Sequence, residues 1–423
     1  MNKKQFWTLR YALINATYFA AFCTLHAYAA VYLLDRGFTN TQIGMLLAVA
    51  NIVSALLQPP VAAVIDRQGI FTNRNVCMIC EGIIIAGSAI LLVSDSNHAV
   101  VFAVYALIYM VQFTYMPVMT ALNFEYQRSG ANIFYGLARG LGSAGYAVTS
   151  AIIGTVIEKE GVRVLLFANI LFMVIQMAVM YFFRLPRDAK IISEGSAPEE
   201  GFATDEEPVQ ASKQVPQDRP QQSPDGIFAF LKRYPTFTVM LLATILLFFT
   251  HNMLNDYLIQ IIRPLGGSES NLGIATFISA LLELPTMAVI TLISKKVSMR
   301  LLLVISGISF TVKAVIMLIA TSIPLVYASQ AMQLLAYAVF IPAAAYYVSE
   351  NIDLTDQVKG QAFVTSCFTL AGVFSSLICG IILDRLGVKE MLIVGTVISV
   401  AGTLLITFAM MQKSRTTGTE VSY

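Results

Sequence analysis

Apolar residues run along the chain in blocks of twenty or more, separated by short clusters of charge. A helix needs about 20 apolar residues to cross the hydrocarbon core of a bilayer. On that measure the sequence predicts twelve spans, at 11–34, 41–65, 75–94, 99–123, 133–157 and 162–184, then 235–262, 271–293, 299–321, 324–349, 361–383 and 388–411. The first run, Trp7 to Leu34, is too long for a signal-peptide core and has no small-residue cleavage site, so it reads as a span.

Between the sixth and seventh spans the pattern changes. Arg187 to Leu231 holds nine acidic and four basic residues, many Pro, Ser and Gln, and no apolar periodicity. Such a stretch cannot bury enough apolar area to fold and is expected to be a solvated tether. The chain therefore divides into a six-helix unit (1–186), a linker (187–231), a second six-helix unit (232–412) and a short tail (413–423).

Lys and Arg gather in alternate loops. Lys3, Lys4, Arg10, Arg67, Arg74, Arg128, Arg184, Arg187, Lys190, Lys232, Arg233, Lys295, Lys296, Arg300, Lys359, Lys413 and Arg415 all fall on the side of the termini. The other side carries only Arg36, Lys159, Arg163, Arg263, Arg385 and Lys389. By the positive-inside rule both termini face the cytoplasm, and the chain is expected in the cell inner (plasma) membrane.

Composition agrees with the pattern: of 423 residues 57% are apolar and 12% charged, about half the charged share of a soluble chain. The net charge of +2 reflects basic residues at helix ends and gives no reason to expect a nucleic-acid partner. Cys23, Cys77, Cys80, Cys367 and Cys379 all lie in apolar runs and are expected as free thiols. Cys77-x-x-Cys80 stands at the start of an apolar run with no second pair, and no H-E-x-x-H or Ser/His dyad is visible in the spans, so neither cofactor, metal nor enzymatic activity is expected.

An internal repeat sets the architecture. Gly154-Thr-Val-Ile-Glu158-Lys159-Glu-Gly161-Val162 recurs as Gly380-Ile-Ile-Leu-Asp384-Arg385-Leu-Gly387-Val388, an offset of 226 that Pro59 and Pro285 share. Gly37-x6-Gly44 is echoed by Gly266-x6-Gly273 at an offset of 229. Two pseudo-symmetric halves are expected to rock about a solute site at their interface.

Ionisable groups at membrane depth cost about 3 kcal/mol or more unless they pair or face water. Glu81, Arg139, Asp256, Glu283 and Lys313 are so placed. Polar residues stand beside them at helical spacing: Asn252, Asp256 and Gln260; Tyr135, Arg139 and Tyr146; Thr276, Ser279 and Glu283; Ser306, Ser309 and Lys313; Gln330, Gln333 and Tyr337. Aligned stripes on several spans point to a shared wet cavity rather than isolated interhelical contacts. Glu283 is the leading proton carrier, because a carboxyl holds its proton more tightly as water leaves and less tightly as a cation approaches. Lys313 or Arg139 is the expected cation, and a fixed Glu283–Lys313 ion pair is the alternative. Asp256 is the second candidate for proton coupling. Tyr146 and Tyr337 offer flat faces to a ring-shaped solute, and Asn252 a polar contact.

Four segments carry a family resemblance. Gln58-Pro59-Pro60-Val-Ala62-Ala-Val-Ile-Asp66-Arg67-Gln-Gly69 resembles the G-x-x-x-D-R/K-x-G loop of the major facilitator superfamily, with Ala62 in place of the leading glycine. Tyr135-Gly136-Leu-Ala-Arg139 through Tyr146, Ser279 through Pro285, and Thr311-Val312-Lys313 are similar to segments of its lactose permease-like oligosaccharide:proton symporters. The resemblance implies an all-α membrane protein with the twelve-helix major facilitator fold. It assigns gating to Asp66 and Arg67, sugar contacts to Arg139 and Tyr146, and substrate and proton binding to Glu283, with Lys313 in the coupling network. Thr120 stands where the family has a galactoside-gripping acid. The chain departs from the family at Tyr337-Ala-Val-Phe340, which replaces a His-x-x-Glu, and at Phe368, which replaces a lysine.

The resulting expectation is a monomeric secondary transporter that moves a small sugar-like solute with protons by alternating access. A uniporter, or a proton-coupled carrier of nucleosides or aromatic acids, is the alternative.

Overall fold

No water reaches unpaired backbone groups inside a bilayer, so an apolar run winds into a helix that satisfies its own N–H and C=O groups. The structure, a computed structural model, describes residues 3–66, 71–94, 97–184, 226–294 and 297–412; among these, the side chains of 3–5, 66, 284, 286–292 and 294 are not described. The first half contains α1 (Lys3–Phe22), α2 (Ala29–Asp35), α3 (Asn40–Asp66), α4 (Asn73–Val93), α5 (His98–Arg128), α6 (Tyr135–Glu160) and α7 (Val164–Phe182). A short α8 (Ile227–Arg233) leads into the second: α9 (Pro235–Asp256), α10 (Leu258–Ile262), α11 (Glu269–Ser294), α12 (Met299–Leu318), α13 (Ile323–Ala331), α14 (Tyr337–Asn351), α15 (Gln357–Arg385) and α16 (Val388–Met411). Every expected span is met by helix, and no strand occurs among the described residues. Among those residues ten helices are long and apolar enough to cross a bilayer, or eleven with the bent α1–α2 pair counted as one. The chain is a multi-pass membrane protein.

Within the first half α1 packs on α6 and α7, and α4 packs on α5 and α7. In the second, α9 packs on α15 and α16, and α12 on α14 and α16. Among the described residues the halves meet most extensively at α6 against α11 and α3 against α15.

Three spans expected as continuous helices are broken, none of them at a glycine or proline. The first passes through a π-helical turn (Cys23–Ala27) and breaks at Tyr28 (φ −107°, ψ 13°), so that its two parts meet at 47°. The seventh breaks at Tyr257 (φ −114°, ψ 24°), 229 residues later. A π-turn is a recognised cause of a kink. Each tyrosine hydroxyl donates to a backbone carbonyl of its own half, Tyr28 to Ser150 O (2.8 Å) and Tyr257 to Ser376 O. The tenth breaks through a 3-10 turn (Met332–Leu334) to Ala336 (φ −81°, ψ −87°).

The expected tether 187–231 lies outside the described residues as far as 225, and its end is not solvated coil. Helix α8 starts at Ile227, because Phe230 finds a buried seat against Phe363 (ring centroids 5.1 Å apart) and Phe237. Arg233 then pairs with the buried Asp356 (3.1 Å), and the Tyr234 hydroxyl donates to Asp353 (2.7 Å). Burial and the Asp353 carboxylate push the Tyr234 phenol up to about 12, so it keeps the proton it donates.

One polar clasp ties three spans of the first half. The buried Asn169 amide donates to Ala21 O and Thr24 Oγ1 and accepts from Ser88 Oγ, each at 3.1 Å. Asn169→Leu strips those partners, at about 1–3 kcal/mol for buried polar groups left unpaired. A lower melting temperature of the detergent-solubilised protein is the expected result, measured by tryptophan-independent thermal shift.

Candidate functional site

Charged side chains from three spans converge where the halves meet. Glu283 on α11 lies in the field of Arg139 on α6 and of Lys313 on α12. Among the described residues no ion pair joins Glu283 to either cation. The fixed Glu283–Lys313 bridge is therefore not the arrangement present. Lys313, wholly buried, instead donates to Gln333 Oε1 on the 3-10 turn of the tenth span (2.8 Å). Arg139 donates to Ser143 one turn along its own helix (2.9 Å) and lies over the Phe19 ring at 4.1 Å, a cation–π contact worth about 0.5–2 kcal/mol.

The aromatic candidates stand around this centre. Tyr337 lies in the fields of Glu283 and Arg139, and Tyr146 in those of Glu283 and Asp256. Asp256 accepts from Ser376 Oγ (3.0 Å) across α9 and α15. Asn252 approaches Gly372 of α15 opposite Asn51 of α3, at the crossing of three spans. The structure thus gathers Arg139, Tyr146, Asp256, Asn252, Glu283, Lys313 and Tyr337 from α6, α9, α11, α12 and α14 around one inter-half region.

The Thr120 hydroxyl donates to Met116 O of its own helix (3.2 Å). Glu125, one turn along, bonds Asn73 (2.8 Å). Of the two gating candidates, Asp66 ends α3 with its side chain outside the described atoms, and Arg67 lies outside the described residues. Glu81 is wholly buried in α4, with neither carboxylate oxygen hydrogen-bonded.

Two histidines extend the site beyond its charged core. His26, on the π-turn, stacks on Phe22 (3.7 Å, 6°) and closes on Tyr109 (3.8 Å), with both ring nitrogens buried and unbonded. His251, 225 residues later, stacks on Tyr337 (4.9 Å, 16°) and reaches Asn255 through Nε2 (3.0 Å). Phe248 fills the space beside it, stacked on Phe368 (4.2 Å). The sequence names both histidines but not their faces; in these two spans the repeat offset is 229, as at Tyr28 and Tyr257, so His251 stands one turn from the position equivalent to His26.

Beside this centre the halves touch through glycines. A methyl group at Gly154 would collide with Glu269 O and the Tyr28 hydroxyl, and one at Gly273 with Ser150 O and the same hydroxyl. The second seam copies the first: Gly380 faces Asn40 O and the Tyr257 hydroxyl, and Gly44 faces Ser376 O and that hydroxyl. Among the described residues, the hydrogen bonds that join the halves lie along these seams, toward the face opposite the termini. No group of three or more His, Cys, Asp or Glu able to hold a metal occurs among them.

Comparison with known proteins places this architecture. A family model described as "MFS_1 like family" matches residues 8–412. Among curated proteins none matches the chain in sequence. The crystal structure of the nucleoside transporter NupG superposes with a TM-score of 0.76 at 12% identity, covering 98% of this chain and 100% of that one. A point mutant of NupG gives 0.75 at 13% identity, over 96% and 100%. A bacterial homologue of the human lysosomal transporter Spinster, inward-facing and unoccupied, gives 0.67 at 12%, over 97% of each chain. At such identities the likeness is one of fold.

The seam geometry makes a direct prediction. Gly154→Leu forces α6 away from α11, so a cysteine placed at Thr149 becomes more reactive toward a water-soluble maleimide than in the Gly154 parent. Unchanged labelling would mean that the seam accommodates a side chain.

Proposed function

The chain belongs to the MFS_1-like family of major facilitator transporters, and we propose that it carries a small polar, sugar-like solute into the cell together with protons. The observation that carries this reading is the position of Glu283, within the fields of Arg139 and Lys313 yet paired with neither. A carboxyl in that setting responds to small changes in its surroundings, since water and a cation act on its proton in opposite senses. Rocking of the halves alters both, because Arg139 belongs to the first half while Glu283 and Lys313 belong to the second.

In this reading Glu283 takes a proton on the side of higher proton concentration and accepts a hydrogen bond from a solute hydroxyl. Arg139, held over Phe19, orients further hydroxyls. Tyr146 and Tyr337 lie against the ring from opposite halves, with Asn252 and Asp256 bounding the far end. Lys313 stays on Gln333 within the same half, while closure brings Arg139 of the other half nearer Glu283, which then releases its proton to the other side. Asp66 and Arg67 keep the gating role that the resemblance gives them, and Thr120 a lesser solute contact.

A second reading, a carrier of nucleosides, draws on the stacked His26–Phe22 and His251–Tyr337 faces, which suit a flat heteroaromatic ring with donors at its edge. NupG, of the same fold, is a nucleoside transporter.

Both readings are tested in proteoliposomes with an imposed pH gradient and a panel of radiolabelled solutes: lactose, maltose, sucrose, uridine and adenosine. A gradient of one pH unit is worth about 1.4 kcal/mol per proton, so one-to-one coupling supports about tenfold accumulation. Solute accumulates when the outside is the more acidic, and a protonophore abolishes the accumulation. Glu283→Gln loses gradient-driven accumulation while keeping counterflow exchange. Uptake indifferent to the gradient and unchanged in Glu283→Gln overturns proton coupling. Accumulation of uridine or adenosine but none of the sugars selects the second reading.

A further inference from the structure

The repeated segment carries, four residues beyond its glycine, an acid in each copy: Glu158 after Gly154 and Asp384 after Gly380. Neither has a part in the charged centre. Each reaches across to the other half and meets the start of a helix there. Asp384, at the end of α15, accepts from Asn40 N (3.0 Å), Asn40 Nδ2 (2.9 Å) and Thr41 N (2.7 Å) at the start of α3. Glu158, at the end of α6, accepts from Ser270 N (3.0 Å) at the start of α11. Around each acid the hydroxyls repeat as well: Thr41 Oγ1 donates to Gly380 O (3.4 Å), and Thr155 Oγ1 shares a hydrogen bond with Ser270 Oγ (3.2 Å). Gln260 adds a bond to Asn40 Oδ1 (2.9 Å) on the Asp384 side.

The first N–H groups of a helix have no partner in their own turn, and the helix end carries partial positive charge. A carboxylate supplied by its own chain segment would cap that end permanently. At α3 the chain's own Thr39 serves one of these groups, its Oγ1 accepting from Gln42 N (3.2 Å), but the carboxylate at each helix start comes from the opposite half, so it is there only while the halves are closed on that face. Opening the face withdraws both carboxylates from the N–H groups of Asn40, Thr41 and Ser270.

We propose that Glu158 and Asp384 form a paired latch that holds shut the face opposite the termini, each capping the first turn of a helix in the other half. The latch is unequal by construction: Asp384 makes three of the bonds and Glu158 one. The α3–α15 seam is therefore the stronger closure, and the α6–α11 seam the first to part. This device is independent of which solute is carried, and its test needs none.

The experiment is a distance measurement by pulsed electron paramagnetic resonance on the full-length protein. Spin labels are placed at Lys159→Cys on one half and Leu386→Cys on the other, after replacement of the five native cysteines. The parent shows a distribution dominated by the short distance. Asp384→Asn moves population to a longer distance, with the open-to-closed ratio rising roughly tenfold, the scale of a lost helix cap. Glu158→Gln moves it in the same direction by less, and the double substitution by most. Glu160→Gln, an exposed acid on the same turn as Glu158, leaves the distribution as in the parent. A melting curve for each variant separates latch loss from unfolding, since the single variants keep the parental transition. An unchanged distribution in both single variants, or an equal shift in Glu160→Gln, overturns the proposal.

Discussion

Among the described residues the halves are held at two main helix crossings, and both depend on backbone reaching backbone. At Gly154 and Gly273, and again at Gly380 and Gly44, a single added carbon would strike a carbonyl oxygen of the facing helix. Between apolar helices in lipid there is no hydrophobic drive to associate, so close packing and interhelical hydrogen bonds must supply the cohesion. The glycines allow that approach, and Tyr28 and Tyr257 fill the angle left beside them. Ser150 and Thr41 then donate across the gap to Gly273 O and Gly380 O. Where the seams end, the charged centre begins, and its groups belong to both halves because of how the seams fix them.

Much of this was legible in the sequence, because the signals were long or repeated. Runs of twenty apolar residues locate the spans whatever their neighbours do, and the echo of Gly154–Val162 in Gly380–Val388 exposes the two halves directly. The helix breaks were not legible. Tyr28, Tyr257 and Ala336 stand beside neither a glycine nor a proline, and the tyrosines' distant carbonyl partners and the π-turn leave no local mark. The fate of Lys313 was hidden for a similar reason: its partner Gln333 is twenty residues away and reaches it only because the tenth span breaks there. Phe230 shows the opposite error, in which one aromatic residue anchors a helix inside a stretch whose average composition reads as solvated.

The interior charges are arranged for change rather than for rest. Arg233–Asp356 and Arg263–Glu269 are closed ion pairs, at 3.1 and 2.8 Å, and both lie toward the ends of spans. In the middle the pattern is different. Arg139 is steadied by a ring and a hydroxyl, Lys313 by an amide, and Glu283 is left between them. Neutral partners hold a charge in place without satisfying it so fully that it cannot exchange partners later.

The amide that steadies Lys313 sits on the one turn of its span that is not α-helical. That makes the kink and the lysine mutually dependent: were the span to straighten, the carbonyl would swing off its bearing and leave the buried Nζ without its hydrogen-bond partner, beside the Glu283 carboxylate whose field it shares. A bend in the backbone is here the switch that decides which neighbour a lysine keeps.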